Sequence, residues 1–179
     1  MKKSIIASIG VLLLIIVGYM AVHFLSSENV FSDKGLEKLI CKEQGVDDVS
    51  ILARDYEKDL LAVLYSDGLD DGKLFILEQD EIFKDRYRYF GGANHTATFA
   101  TYNGGHPKYG TLIIVYGNNS ELQAYSYQFV NDGKQYEKEN IGQYIVDIYI
   151  LNQSKSISCE GYVYDSNNAL IGEFNSIRW

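Results

Sequence analysis

Proline occurs once in 179 residues, tryptophan once, cysteine twice and methionine twice. A single proline excludes a polyproline or low-complexity chain, and two cysteines exclude a small domain held by several disulfides. Positive charge is also scarce, with 16 Lys and Arg against 24 Asp and Glu and a formal charge of −8. No nucleic-acid partner is expected, because binding a phosphate polymer requires a basic surface that displaces counterions. The chain has no C-x-x-C pair, no H-E-x-x-H, no G-x-S-x-G elbow and no phosphate-cradling glycine loop. No cofactor, metal or catalytic residue set is therefore assigned. Hydrophobic residues make up 46% of the chain, enough for one folded core.

What is present begins with a long apolar run. Residues 4–25, SIIASIGVLLLIIVGYMAVHFL, contain no charged side chain other than His23 and follow Lys2 and Lys3. As a helix this run is roughly 33 Å long, enough to cross a hydrocarbon core of about 30 Å. The two lysines ahead of it place residues 1–3 in the cytoplasm by the positive-inside tendency. The expected layout is a spanning helix at 4–25, a short polar linker at 26–30 and an extracytoplasmic domain at 31–179 of a single-pass cell-membrane protein. A cleaved signal peptide is the competing reading. Its apolar stretch is shorter and ends at a small-x-small site, whereas Tyr19-Met20-Ala21 puts a large ring there and Leu25-Ser26-Ser27 fits only loosely. All acidic residues follow the run, so leaving out Lys2 and Lys3 takes the outer part from −8 to −10. That charge bears on solubility and steering, not on fold.

Past the linker, DKGLEKLICKEQG reads as a helix capped by Ser32 or Asp33 and stopped at Gly45, with Leu36, Leu39 and Ile40 on one face. From Val49 onward the apolar period becomes two, and turn signals such as Ser66-Asp67-Gly68, Asn103-Gly104-Gly105 and Asn131-Asp132-Gly133 recur. They separate ten runs rich in Ile, Val, Tyr, Phe and Thr: VSILAR, LLAVLY, KLFILE, FKDRYRYF, TATFATY, TLIIVY, LQAYSYQFV, YIVDIYIL, ISCEGYVY and ALIGEF. The fold class expected is a mainly-β (α+β) domain, one short helix with an antiparallel meander of about ten strands, as a sandwich or partly closed barrel.

Groups able to do chemistry are few. His95 and His106 read as loop residues. Asp67-Gly68-Leu69-Asp70-Asp71-Gly72 with Glu78 has some spacing of a calcium loop, but Leu69 stands where an oxygen ligand is needed and the flanks read as strands. An acidic hairpin turn is the simpler reading. Cys41 sits about 140° around its helix from Leu36, and Cys159 alternates in phase with Ile157 and Val163. Two separate thiols are expected. The alternative is a Cys41–Cys159 disulfide, which would stabilise the domain by about 4–5 kcal/mol in the chain-entropy model.

An N-terminal anchor, an outer β domain, and His106, Cys159 and Arg178 in that order together resemble the sortases, membrane-tethered transpeptidases with a Cys nucleophile. The resemblance is one of order and architecture. Ser156-Ile157-Ser158-Cys159 departs from the TLxTC-like strand of that family, and Glu160 directly after the thiol would raise its pKa.

Fifteen tyrosines are the most distinctive surface signal, because an amphipathic ring can stack on a sugar or anchor a protein interface. Tyr125 and Tyr127 fall with Phe129 on one face of their run, and Lys84, Arg86 and Arg88 alternate along FKDRYRYF. These five are the candidate binding residues. The function expected is a non-catalytic interaction module at the cell envelope, with an envelope protein or cell-wall component as partner. The alternative is a membrane-tethered envelope enzyme, thiol-dependent in the manner of a sortase or metal-assisted through the acidic turn.

Overall fold

The computed structural model describes residues 2–30, 32–94, 98–151 and 159–177. In chain order the elements are α1 (Lys2–Ser26), β1 (Glu28–Asn29), α2 (Asp33–Gln44), β2 (Ser50–Glu57), β3 (Leu60–Ser66), β4 (Asp71–Gln79), β5 (Arg86–Ala93), β6 (Ala100–His106), β7 (Gly110–Asn118), β8 (Ser126–Asn131), β9 (Lys134–Glu139), β10 (Tyr144–Leu151), β11 (Glu160–Tyr164) and β12 (Leu170–Ile177).

Two runs dictate the layering. LLAVLY and TLIIVY are apolar without alternation, and a strand apolar on both faces must lie between two layers. In β3, Leu60, Ala62 and Leu64 face one cluster while Leu61, Val63 and Tyr65 face another. In β7, Leu112, Ile114 and Tyr116 join the first of these, and Ile113 and Val115 point into a third. The first sheet has the order β1-β5-β4-β3-β2, the second β10-β7-β6-β12-β11-β8-β9. The sheets pack face to face through β3, β4, β6, β7 and β10. α2 covers the outer face of the first sheet, where Leu36, Leu39 and Ile40 are buried at about 1.5–3 kcal/mol each. The second sheet curls into a half-barrel around its own cluster, as Tyr127, Phe129, Val163 and Phe174 fold back over Ile113 and Val115.

α2 starts and stops as its sequence predicts. The Ser32 hydroxyl accepts from the Gly35 amide, and Gly45 at φ 68 donates to the Cys41 carbonyl, a left-handed stop that glycine adopts without strain. All ten predicted strands exist, and the domain is a two-sheet sandwich with one sheet curled. The pairing is antiparallel except that β12 runs parallel to β6 at Thr101–Ser176 and Tyr102–Ile177, so the order is not a simple meander.

Two strands lack a signal. β9, KQYEKE, has no apolar alternation because it is an exposed edge; the Asp132-Gly133 turn, with φ 47 and 74, pairs it to β8. β1 lies within the predicted linker, which is docked instead: Ser27 and Val30 are buried, and Glu28 and Asn29 pair with Tyr87 and Arg86. Asn103-Gly104-Gly105, predicted as a turn, is inside β6, and Gly91-Gly92 is inside β5. Gly92 is required there because a Cβ would collide with the Leu74 carbonyl of β4.

Candidate functional site

The end of α1 is built into the domain. His23 Nδ1 lies 2.8 Å from Asp80 Oδ2, and Asp80 Oδ1 accepts from the Ile82 and Phe83 amides, both at 2.9 Å. Asp80 is fully buried. Burial alone would raise its carboxyl, but the two amides and His23 outweigh burial and hold it below its ordinary value. Arg86 donates to the Phe24 carbonyl at 2.8 Å, to the Ser27 hydroxyl at 3.1 Å and to the Ser27 carbonyl, with its guanidinium 4.0 Å from the Phe24 ring. Phe24 meets Phe83 edge to face at 5.6 Å. No sequence signal pointed to this joint, since its members are 57 to 62 residues apart in the chain.

The predicted basic ladder is therefore divided. Arg86 is engaged with α1. Arg88 bonds Glu78, its register partner on β4, through Nη2 at 2.7 Å, a cross-strand pair of the kind that solvated sheets carry. Lys84 lies exposed in the loop before β5 and does not alternate with them on one strand. The predicted aromatic pair also separates. Tyr125 is 36% exposed, whereas Tyr127 is fully buried and its hydroxyl donates to Asp147 at 2.7 Å and meets the Tyr149 hydroxyl at 2.7 Å. Burial beside the Asp147 carboxylate pushes Tyr127 far up, and burial pushes Tyr149 up to about 12. Lys138 closes this network on the other Asp147 oxygen. Tyr127 thus serves the interior and presents no ring for binding.

His106, expected in a loop, ends β6 and is 4% exposed. Its Nδ1 accepts from the Lys108 amide at 3.2 Å, its Nε2 faces Glu78 Oε1 at 3.4 Å, and its ring stacks on Tyr109. Nearby, Lys108 bonds Asp59 at 2.5 Å; burial would raise the Asp59 carboxyl, but Lys108 and Tyr109 together hold it down. Cys159 belongs to a different region, packed with Ile113, Val115, Phe129 and Phe174. Burial, with Glu160 alongside, pushes its thiol up to about 12. His106 and Cys159 are not brought together, and His95 and Arg178 lie outside the described residues. Cys41 packs beside Leu36 and Ile40 in the α2 cluster, so the two cysteines are separate thiols and no bridge joins them.

The acidic turn forms the opposite end of the sandwich from the joint, about 26 Å away along β4 at ~3.3 Å per residue. Asp67 accepts from the Leu69 and Asp70 amides and pairs with Lys73, which holds its carboxyl low. Leu69 is 88% exposed at the tip. An open cleft of about 460 Å³ beside the turn is lined by Ser66, Asp70, Asp71, Thr98, Asn118 and Glu121. Glu78, the remote member of the calcium-like spacing, is at the other end of β4 on Arg88. Among the described residues no three His, Cys, Asp or Glu side chains converge as a metal set would.

No protein-family model, curated protein or solved structure matches this chain.

Proposed function

We propose that the chain is a single-pass membrane protein whose β-rich domain acts outside the membrane as a non-catalytic binding module for an envelope protein or cell-wall component. The observation that carries this reading is the contrast along α1. Residues Ile9–Ser26 are apolar with none of the window buried, a surface that water disfavours and a bilayer accepts, while His23, Phe24 and Ser27 at its end complete the domain's own structure. Cleavage after Ser27 would remove His23, Phe24 and Ser27 and strip the buried Asp80 and the half-buried Arg86 of partners, at about 1–3 kcal/mol for a buried group left unsatisfied, whereas cleavage after Ala21 would leave these residues in the domain. This favours a retained anchor over removal at Ser27. Lys84 and Tyr125 remain on the exposed surface, and Arg86, Arg88 and Tyr127 have structural partners.

The test is alkaline extraction of cells expressing the full chain, with intact mass of the membrane-bound species and protease added to spheroplasts. The expected result is a pelleted protein with its N-terminal segment present and a domain digested from outside. A soluble species beginning between residues 22 and 31 would overturn the anchor, and a domain protected in intact spheroplasts would overturn the orientation.

A further inference from the structure

We propose that the outer edge of β5 from Arg88 to Gly92 accepts an extended peptide segment of a partner protein as an added β-strand. This rests on the binding-module reading and gives it a site. The edge is left open by the way the chain enters the domain. β1 pairs with β5 at Tyr87 and Arg86, and the end of α1 meets β5 at Arg86, through the Phe24 carbonyl and ring. On the inner side β5 is paired to β4 from Gln79–Tyr87 to Leu74–Ala93, with one bulge at Phe90. Among the described residues no strand pairs with the outer side beyond Tyr87.

The other edges are managed differently. β9 carries Lys134, Glu137, Lys138 and Glu139, charges that discourage strand addition. β10 is closed against β2 by Asp55, whose carboxylate accepts from the Ile148 amide at 2.8 Å. On the β5 edge Arg88 is drawn to Glu78 of β4, which leaves the bulge at Phe90 as its guard. Gly91 and Gly92 leave it bare of side chains, because a Cβ at 91 would crowd the Tyr102 hydroxyl and one at 92 the Leu74 carbonyl. Tyr89, 41% exposed and stacked on Phe75 at 4.6 Å, stands beside this bare stretch as a fixed ring. Backbone amides and carbonyls in a row are satisfied together only by another extended backbone, and glycine in a strand permits its close approach. The register steps from Ile76–Gly91 to Leu77–Tyr89, so Phe90 is a bulge residue. The twist it adds disfavours straight pairing of two identical edges and selects a flexible peptide over a second copy of the chain.

The test uses the full chain in nanodiscs and a displayed library of random peptides about ten residues long. Binders are characterised by hydrogen exchange and by synthetic versions N-methylated at alternate amides. The expected result is exchange of the 88–92 amides slowed about tenfold or more, with affinity lost about tenfold or more on N-methylation. Peptides that bind while exchange at 88–92 is unchanged, or that tolerate N-methylation, overturn the edge proposal and leave the binding-module reading standing. Failure to enrich any peptide over empty nanodiscs counts against both.

Discussion

His23 of α1 and Asp80 of the β4–β5 loop meet at 2.8 Å, joining an apolar helix to a sheet across 57 residues of chain. The carboxylate is fully buried, so among the described residues this contact and its two backbone partners replace the water that Asp80 has lost.

Removing that carboxylate leaves the Ile82 and Phe83 amides and His23 without their acceptor. Asp80→Ala is expected to destabilise the full chain by about 2–3 kcal/mol, read as thermal unfolding in detergent micelles. A change below about 0.5 kcal/mol, the range of ordinary surface substitutions, would show that water replaces the carboxylate.

Acid should act through the same group. The folded carboxyl of Asp80 is held below its ordinary value, and Asp59 and Asp67 are shifted in the same direction. Each therefore contributes stability that is present above the unfolded carboxylate range, about pH 4, and lost as pH falls through the lower folded value. The thermal midpoint should be insensitive to these groups above about pH 5 and drop on acidification below about pH 4. Asp80→Asn should flatten part of that drop, and an unaltered acid profile in the variant would remove Asp80 from the account.

Arg86 ties the Phe24 and Ser27 carbonyls to β5. Arg86→Ala is expected to loosen residues 26–30 more than the core, so limited proteolysis in this segment should quicken about tenfold while the β domain stays resistant. Equal rates in the two proteins would show that Phe24, Val30 and β1 hold the segment unaided.

Tyr127→Phe deletes the hydroxyl shared by Asp147 and Tyr149 and should cost about 1.5–3 kcal/mol, the range for a hydrogen bond to a charged group. Tyr125→Ala, on the surface, should stay within about 0.5 kcal/mol. Denaturant titration of both separates them, and similar midpoints would contradict the assignment of Tyr127 to the interior.

The thiols should react in order. Cys159 is 1% exposed and its thiol is pushed up to about 12, whereas Cys41 is half-buried on α2. Iodoacetamide at pH 8 should label Cys41 alone in the native protein and both cysteines in guanidinium, because alkylation needs an accessible thiolate. Rapid double labelling of native protein would place Cys159 outside the core.

The strands of the interior were the legible part. Apolar runs such as LLAVLY and TLIIVY carry their two-sided burial in their composition, and the α2 stripe with Ser32 and Gly45 carries its own boundaries. β9 was hidden because an exposed edge needs no apolar face, and Asn103-Gly104-Gly105 read as a turn because glycine's local preference is the same whether it bends a chain or admits a neighbour. Side-chain alternation likewise distinguished two faces of the β8 run but not which of them was inside, so Tyr127 was given to the surface.

The sequence by itself determined the apolar N-terminal helix, the mainly-β class, α2 and the positions of the ten main strands, because these depend on composition and period within one segment. Only the tertiary structure decided that residues 26–30 are docked, that Arg86 and Arg88 serve different partners, that the two cysteines are separate, and that among the described residues no strand pairs with the outer side of β5 beyond Tyr87. Each of these depends on pairing between distant segments, which local periodicity does not encode.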